Sequence, residues 1–275
     1  MHPNILIRAA VVATALVLCP AFVQTIKAEP TLSEEEVQNA RDGGIPSPGP
    51  LFSALSHSLP EINWQTVAKK TVSDPSFTKT NYKDDATRAA NLGTRVAAAF
   101  IAVQAKDVDS LRKAGKAAYD LGQSFGGVTA EMKSVAERLK SASDSGDWTH
   151  IPDLVEQLAR VSEGQIMSSG HREEAVLAFS SGWLSLLNIV TSALNDSYSD
   201  KGSLILRQAS IAQQLLAQVQ NLPAKTKNEP AVKAQLEALQ KIAGLMDGDR
   251  QTPLPKDAVA QLHDISSAAV KQIES

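Results

Sequence analysis

The sequence contains a single cysteine, few aromatic residues and no excess of positive charge. A disulfide needs two cysteines, so the chain forms none within itself. Cys19 also lies in an N-terminal segment that we expect to be removed, which leaves the mature chain without a thiolate nucleophile or a cysteine metal ligand. Aromatic residues make up 4% of the chain, whereas β-strands favour them. These absences disfavour a disulfide-stabilised fold and a β-rich fold.

The sequence also has no large excess of either positive or negative charge. The chain has 27 basic and 30 acidic residues, a formal net charge of −3. Removal of residues 1–28 would take away Arg8 and Lys27 but no acidic residue, so the net charge of the mature chain would be −5. Nucleic-acid binding relies on a basic face that neutralises phosphates, and here charges of both signs alternate along the chain. We therefore expect no nucleic-acid partner.

The first 28 residues resemble an export signal peptide. A short basic start precedes the apolar run Ala9–Leu18, and the small residues Ala21 and Ala28 are suitable cleavage sites. Pro20 ends the run well short of the ~20 apolar residues that a membrane-spanning helix needs. We expect cleavage after Ala21 or Ala28, an exported protein in the periplasm or outside the cell, and no stable membrane span after cleavage.

Two alternatives concern the same segment. If it is not cleaved, it would hold the protein at a membrane surface. If Cys19 carries a lipid, the segment would resemble a bacterial lipoprotein signal, in which a small residue precedes the cysteine; here the bulky Leu18 stands at that position.

Proline and glycine divide the rest of the chain. Residues 29–50 combine a short helix, whose start has the capping-box residues Ser33 and Glu36, with a linker that contains six Gly or Pro residues between positions 43 and 50. We predict a compact helical domain over residues 51–246. Residues 247–275 form a hinge and a C-terminal amphipathic helix.

Apolar residues recur every three or four positions from Asp84 onward, the period of helices with one buried face. Helices are predicted to begin at Asp84, Asp107, Thr129, Trp148, Glu173, Lys201 and Pro230, whereas the stretch through Trp64, Pro75 and Tyr82 is predicted to be irregular. The helices that begin at Asp84 and Glu173 are apolar on several faces, so we expect them at the centre. The pattern predicts an all-α fold of antiparallel helical hairpins in a bundle or short solenoid, with a tetratricopeptide-like array as the alternative.

Four short stretches, spread between Asp84 and Ile242, carry a resemblance to a known group of proteins. They are Leu92-Gly93, Ser145-Gly146-Asp147-Trp148, Ser181-Gly182-Trp183-Leu184, and Leu206-Arg207-Gln208 followed by Leu222-Pro223-Ala224-Lys225-Thr226-Lys227. In these stretches the chain resembles a group of bacterial exported all-helical proteins of unassigned function. The resemblance implies a helical fold and brings no catalytic motif with it.

Two partial motifs are interpreted as turns. Gly122–Gly126 matches the G-x-S-x-G pattern that exposes a nucleophilic serine between a strand and a helix. Here a helix precedes the motif, so we predict that Gly122 ends that helix in the left-handed conformation. Asp247-Gly248-Asp249 begins like a calcium-binding loop but lacks its sixth-position glycine and closing glutamate.

His150 and His171 are the candidates for a catalytic or metal-binding centre. His150 lies between Asp147 and Asp153 at helical spacing, and His171 forms an H-x-x-E pair with Glu174. Acidic residues are expected at helix starts because of the helix dipole, and a catalytic zinc site needs three protein ligands. We therefore predict no catalytic residue, no metal site and no cofactor. A hydrolase or metal-binding protein centred on either histidine is the alternative function.

Polar residues within the two most apolar helices form the predicted ligand-binding site, which comprises Arg95, Asn91, Ser181, Trp183 and Asn188. A buried guanidinium needs partners, because an unpaired buried charge costs several kcal/mol. Arg95 would then anchor a carboxylate, from the protein or from a ligand, in a pocket between helices. In the alternative, Arg95 reaches the surface and the serines serve as small packing residues.

These patterns favour a non-enzymatic exported protein that binds another protein or a small ligand. The binding surface would be a groove between helices, or the C-terminal helix, which the Pro/Gly-rich hinge would leave free to dock on a partner.

Overall fold

The computed structural model describes Leu59 and residues 62–275. Within these residues every regular element is a helix and there is no strand, so the prediction of an all-α fold is confirmed. The choice between a bundle and a solenoid stays a prediction. The signal peptide, the capping box at Ser33 and the linker lie outside the described residues.

The helices follow one another along the chain with short connections. They are α1 Trp64–Ser73, a 3-10 helix Pro75–Thr78, α2 Asp85–Gln104, α3 Val108–Gly122, α4 Ala130–Ser145, α5 Ile151–Ser168, α6 Arg172–Asp196, α7 Asp200–Leu204, α8 Ala209–Gln220, α9 Ala224–Lys227, α10 Pro230–Met246 and α11 Lys256–Glu274.

Helices α2 and α6 pack against each other at the centre, as their apolar composition predicts. Their backbones touch where Gly93 faces Gly182: a Cβ atom on Gly93 would lie 1.8 Å from the carbonyl oxygen of Ala178. Helices α1 and α3 cover one side of α2, and α11 covers α6, with α10 and α8 packed behind it. The hairpin of α4 and α5 is joined to this centre mainly through α5.

Side-chain caps fix several helix starts at the predicted positions. The carboxylates of Asp84 and Asp107 and the hydroxyl of Thr129 accept hydrogen bonds from backbone N–H groups in the first turn. Gly146 ends α4 with a φ of 69°, a left-handed conformation that glycine adopts without a steric penalty.

The prediction of irregular structure through Trp64, Pro75 and Tyr82 was wrong for residues 64–78, which form α1 and the 3-10 helix, and is confirmed for residues 79–84. Asn63 caps α1, and Asp74 caps the 3-10 helix that begins at Pro75. The signal was missed because the buried face of α1 consists of Trp64, Ala68 and Val72, too few large aliphatic residues to show a helical period.

Three other predictions about the helices were also wrong: the continuity of one helix, the start of another and the left-handed end of a third. The helix predicted from Lys201 is broken into α7 and α8, because the turn between them is held by Arg207, whose side chain donates to the carbonyl oxygens of Asp247 and Thr252. Helix α5 begins at Ile151 rather than Trp148, since backbone turns occupy the residues before it. Gly122 is not left-handed; the chain continues to the buried Phe125 and reverses at Gly126, where φ is 105°.

The C-terminal helix α11 belongs to the core. Its apolar face packs on α6 and α10, and Val259, Leu262 and Ile273 are fully buried. The apolar face that a docking arm would present to a partner is therefore already covered within the chain.

Helix α6 is the one described helix that is long and apolar enough to cross a membrane by length and composition. Of its most apolar 18-residue window, 67% is buried against the other helices. The apolar composition of α6 is thus used in the core.

Candidate functional site

A large apolar cleft lies between α3 and the hairpin of α4 and α5, with α2 and α6 forming its floor. Its volume is about 520 Å³. Its walls are mostly aliphatic and aromatic; among the larger lining side chains are Leu92, Phe100, Tyr119, Met132, Leu139, Leu158, Phe179 and Trp183. A second cavity, behind Trp183, has about 20 Å³, which is room for one water molecule.

The cleft is open because α4 packs along its length on α5, whereas its contacts with the other described helices are few. Small residues on the facing helices widen the space further, namely Ala97, Gly115, Ala118, Gly122, Ala159 and Ala178. A side chain added at Gly115 would meet no atom within 4 Å of its Cβ. The shape of the cleft is therefore set by missing side-chain volume on helices that the core holds in place.

Glu163 is the one acidic side chain on the cleft wall. It lies on α5 between Ala159 and Ile166, both of which also line the cleft. Within the described residues it forms no hydrogen bond or ion pair. Burial raises its pKa from 4.5 to about 7, because removal from water disfavours the charged carboxylate and no cation compensates for it.

The other charged residues of the cleft are basic and lie near its mouth. Asp144 binds both Arg112 of α3 and Lys140 of α4, with N–O distances of 2.6 Å. Lys116 pairs with Asp120 of its own helix. Lys133 is exposed and forms no ion pair within the described part of the chain. Arg112 also lies 3.7 Å from Asp109, so three carboxylates balance three of the four positive charges at the mouth.

We expect Glu163→Gln to change how stability depends on pH. The folded-state pKa of Glu163 lies above its unfolded value, so between about pH 4.5 and pH 7 the folded protein binds more protons and loses stability as the pH rises. The Gln variant should lack this loss. Its melting temperature relative to wild type should therefore increase between pH 4.5 and pH 8, as measured by circular dichroism.

The matched control is Glu156→Gln on the same helix, where the carboxylate forms a surface pair with Arg160 at 3.8 Å. Its melting temperature should follow that of wild type across the range. An identical pH profile for wild type and Glu163→Gln would contradict a partly buried, unpaired carboxyl at this position.

The structure brings Arg95 and Asn91 together on the side of α2 away from the cleft. The alternative in which Arg95 reaches the surface was wrong: Arg95 is 0% exposed. Its guanidinium donates to Oε1 of Glu274 at 2.6 Å and stacks over the Phe77 ring at 4.5 Å. The anchored carboxylate thus comes from the protein itself, at the end of α11.

Asn91 completes this contact with the C-terminus. Its Nδ2 donates to the carbonyl oxygen of Ile273 at 2.7 Å, and its Oδ1 accepts from the hydroxyl of Tyr82 at 2.8 Å. Lys79 also donates to the backbone oxygen of Ser275. These groups fasten the last residues of α11 to α2.

The other predicted binding residues lie apart from one another on α6. The hydroxyl of Ser181 donates to the carbonyl oxygen of Ala90 at 2.6 Å and so joins α6 to α2. Asn188 is half-buried, and its backbone oxygen lies 3.4 Å from Nδ1 of His263 on α11. Of the five, Trp183 alone borders the cleft. A ligand-binding role for the other four stays a prediction.

The candidate catalytic residues are not assembled into a larger site. Nδ1 of His150 lies 2.7 Å from Asp147 on the surface, and His171 lies 3.6 Å from Glu174 with its ring edge against Phe125. No group of three or more His, Cys, Asp or Glu side chains suited to a metal ion occurs in the described ranges. Gly122 ends α3 and residues 123–126 form the turn after it, whereas Asp247–Asp249 lie in the loop after α10.

Sequence reasoning missed the cleft and Glu163. A signal was present: Glu163 lies four residues after Ala159 and three before Ile166, which places a carboxyl on the inner stripe of α5. No protein-family model matches the chain, and neither a curated protein nor a solved structure is significantly similar to it.

Proposed function

We propose that this is an exported, non-enzymatic helical protein that binds a small molecule with an apolar body in the cleft between α3 and the α4–α5 hairpin. The cleft itself supports the proposal most directly. Its volume of about 520 Å³ falls within the ~300–1,000 Å³ of small-molecule sites, which are also mostly apolar with few polar groups. The export part of the proposal depends on the sequence of residues 1–28.

A flexible alkyl chain fits such a site, because the cleft is lined by side chains from six helices and has only a few polar groups. Each methylene group buried there contributes ~0.8 kcal/mol, an increase in affinity of about four-fold. We therefore expect affinity to increase by that factor from octanol to nonanol to decanol, as measured by titration calorimetry. Equal affinities for the three alcohols would contradict burial of the chain.

A substitution that fills the cleft tests its location. Gly115→Phe places a ring in open space on the α3 wall, and we expect it to reduce decanol affinity at least about ten-fold, since it occupies the volume of several methylene groups. The matched control is Gly244→Phe on α10, another exposed helical glycine with no atom within 4 Å of the added Cβ. It should bind decanol as wild type does.

If both phenylalanine variants bind decanol equally, the alcohol does not occupy this cleft. If wild type itself binds no alcohol, the proposed function is wrong. Both variants replace a glycine within a helix. Glycine disfavours a helix by ~1 kcal/mol relative to alanine, so its replacement does not weaken the helix and neither variant is expected to unfold.

A further inference from the structure

We propose that Glu163 recognises the head group of the bound molecule and that this head group is an amine, which makes apolar primary amines the ligand class. The inference rests on the proposed function of the cleft. In this proposal, Glu163 makes the polar contact that orients the bound molecule in the cleft.

The first support for the proposal is the position of Glu163 in the cleft. Glu163 lines a mostly apolar wall of α5, where Ala159, Ser162 and Ile166 of the same helix also border the cleft. Glu163 is partly buried, its carboxylate oxygens are strong hydrogen-bond acceptors, and no described residue supplies a donor to them. A ligand that brings an ammonium group supplies three donors and the opposite charge.

Glu163 is the one acidic group among the charged residues that line the cleft. The charged groups on the cleft walls are Arg112 and Lys116 on α3, Lys133 and Lys140 on α4, and Glu163 on α5, whereas α2 and α6 contribute no charged side chain. On its own helix, the nearest cation is Arg160, which pairs with Glu156. None of these cations lowers the pKa of Glu163, whose shift has burial as its cause.

The pairing predicts how binding depends on pH. A primary amine has a pKa of ~10.4 and stays charged across the range in which Glu163 titrates. Below about pH 7 the carboxyl is protonated and uncharged, so the ion pair is lost; above it, the ammonium meets a carboxylate. Amine affinity should therefore increase from pH 6 to pH 8.5, while the affinity of an uncharged alcohol stays constant.

The test compares decylamine, decanol and decanoate, which share one chain length. At about pH 8.5 we expect wild type to bind decylamine at least about ten-fold more tightly than decanol, the factor that a charged hydrogen bond supplies, and decanoate least tightly. At about pH 6 the preference for the amine should become much smaller.

Glu163→Gln should remove both the preference for decylamine over decanol and the pH dependence of that preference, while decanol still binds. Glu156→Gln, a surface substitution on the same helix, should behave as wild type. The decanol measurement also shows that the Gln variant retains an intact cleft.

The outcomes separate this inference from the proposed function. If decanol binds and decylamine binds no more tightly, or if Glu163→Gln keeps the preference, the amine assignment is wrong and the apolar cleft stands. If decanoate binds most tightly, the basic groups at the mouth select an anion and the assignment is likewise wrong. If no probe binds, both proposals are wrong.

Discussion

Gly93→Ala should destabilise the protein by at least about 3 kcal/mol. The added Cβ would lie 1.8 Å from the carbonyl oxygen of Ala178 and 2.3 Å from the hydroxyl of Ser181. A backbone carbonyl in the central helix cannot move aside, so α2 and α6 would have to separate along their contact. For a domain of this size we expect the melting temperature to decrease by about 6 °C or more, as measured by calorimetry.

Gly244→Ala is the matched control for this substitution. It makes the same chemical change within a helix, but no atom lies within 4 Å of the added Cβ, so the gain in helix propensity should stabilise the protein by ~0.5–1 kcal/mol. Opposite signs for the two variants would locate the effect in the contact between α2 and α6. A Gly93→Ala variant as stable as wild type would mean that the two helices do not pack this closely.

Glu274→Ala should be the second most damaging change, although it alters the penultimate residue of the chain. Arg95 is fully buried, and Glu274 provides its carboxylate at 2.6 Å while remaining 32% exposed. Removal of one partner leaves an uncompensated buried charge. Because Glu274 is partly screened by solvent, we expect a loss of about 2–3 kcal/mol in the free energy of unfolding, as measured by urea denaturation.

Glu156→Ala provides the comparison for a surface pair. Its carboxylate lies 3.8 Å from Arg160 on the exposed side of α5, and such pairs contribute ~0–1 kcal/mol. The same small loss at both positions would contradict the contact between Arg95 and the end of α11. A large loss at Glu274 alone would show that the C-terminus is held by the core.

The central helices could be predicted because apolar residues that recur at helical spacing identify a buried helix face directly. The same reasoning found Arg95 and Asn91, since a charged or amide side chain on an apolar face must meet a partner. The partners could not be predicted: Glu274 and Ile273 lie about 180 residues further along the chain. Their approach depends on how α11 packs, which no local pattern encodes.

The cleft could not be predicted for a different reason. It arises where small residues on α2, α3 and α6 face the α4–α5 hairpin, which does not pack closely against them. In a sequence, alanine or glycine at such positions is equally compatible with closely packed helices. Gly93 and Gly115 illustrate the ambiguity: the first allows two helices to touch, and the second faces open space. Glu163 was recognisable as a polar residue on the inner stripe of α5.

The most direct test of ligand binding in the cleft uses Trp183, which borders the cleft and is only 6% exposed. The chain has three tryptophans, so a Trp64→Phe, Trp148→Phe variant leaves Trp183 as the only one. Bromodecanol, whose heavy atom quenches indole fluorescence on contact, should quench it along a saturable curve that Gly115→Phe abolishes. Weak, non-saturable quenching that is the same with and without Gly115→Phe would contradict binding in the cleft.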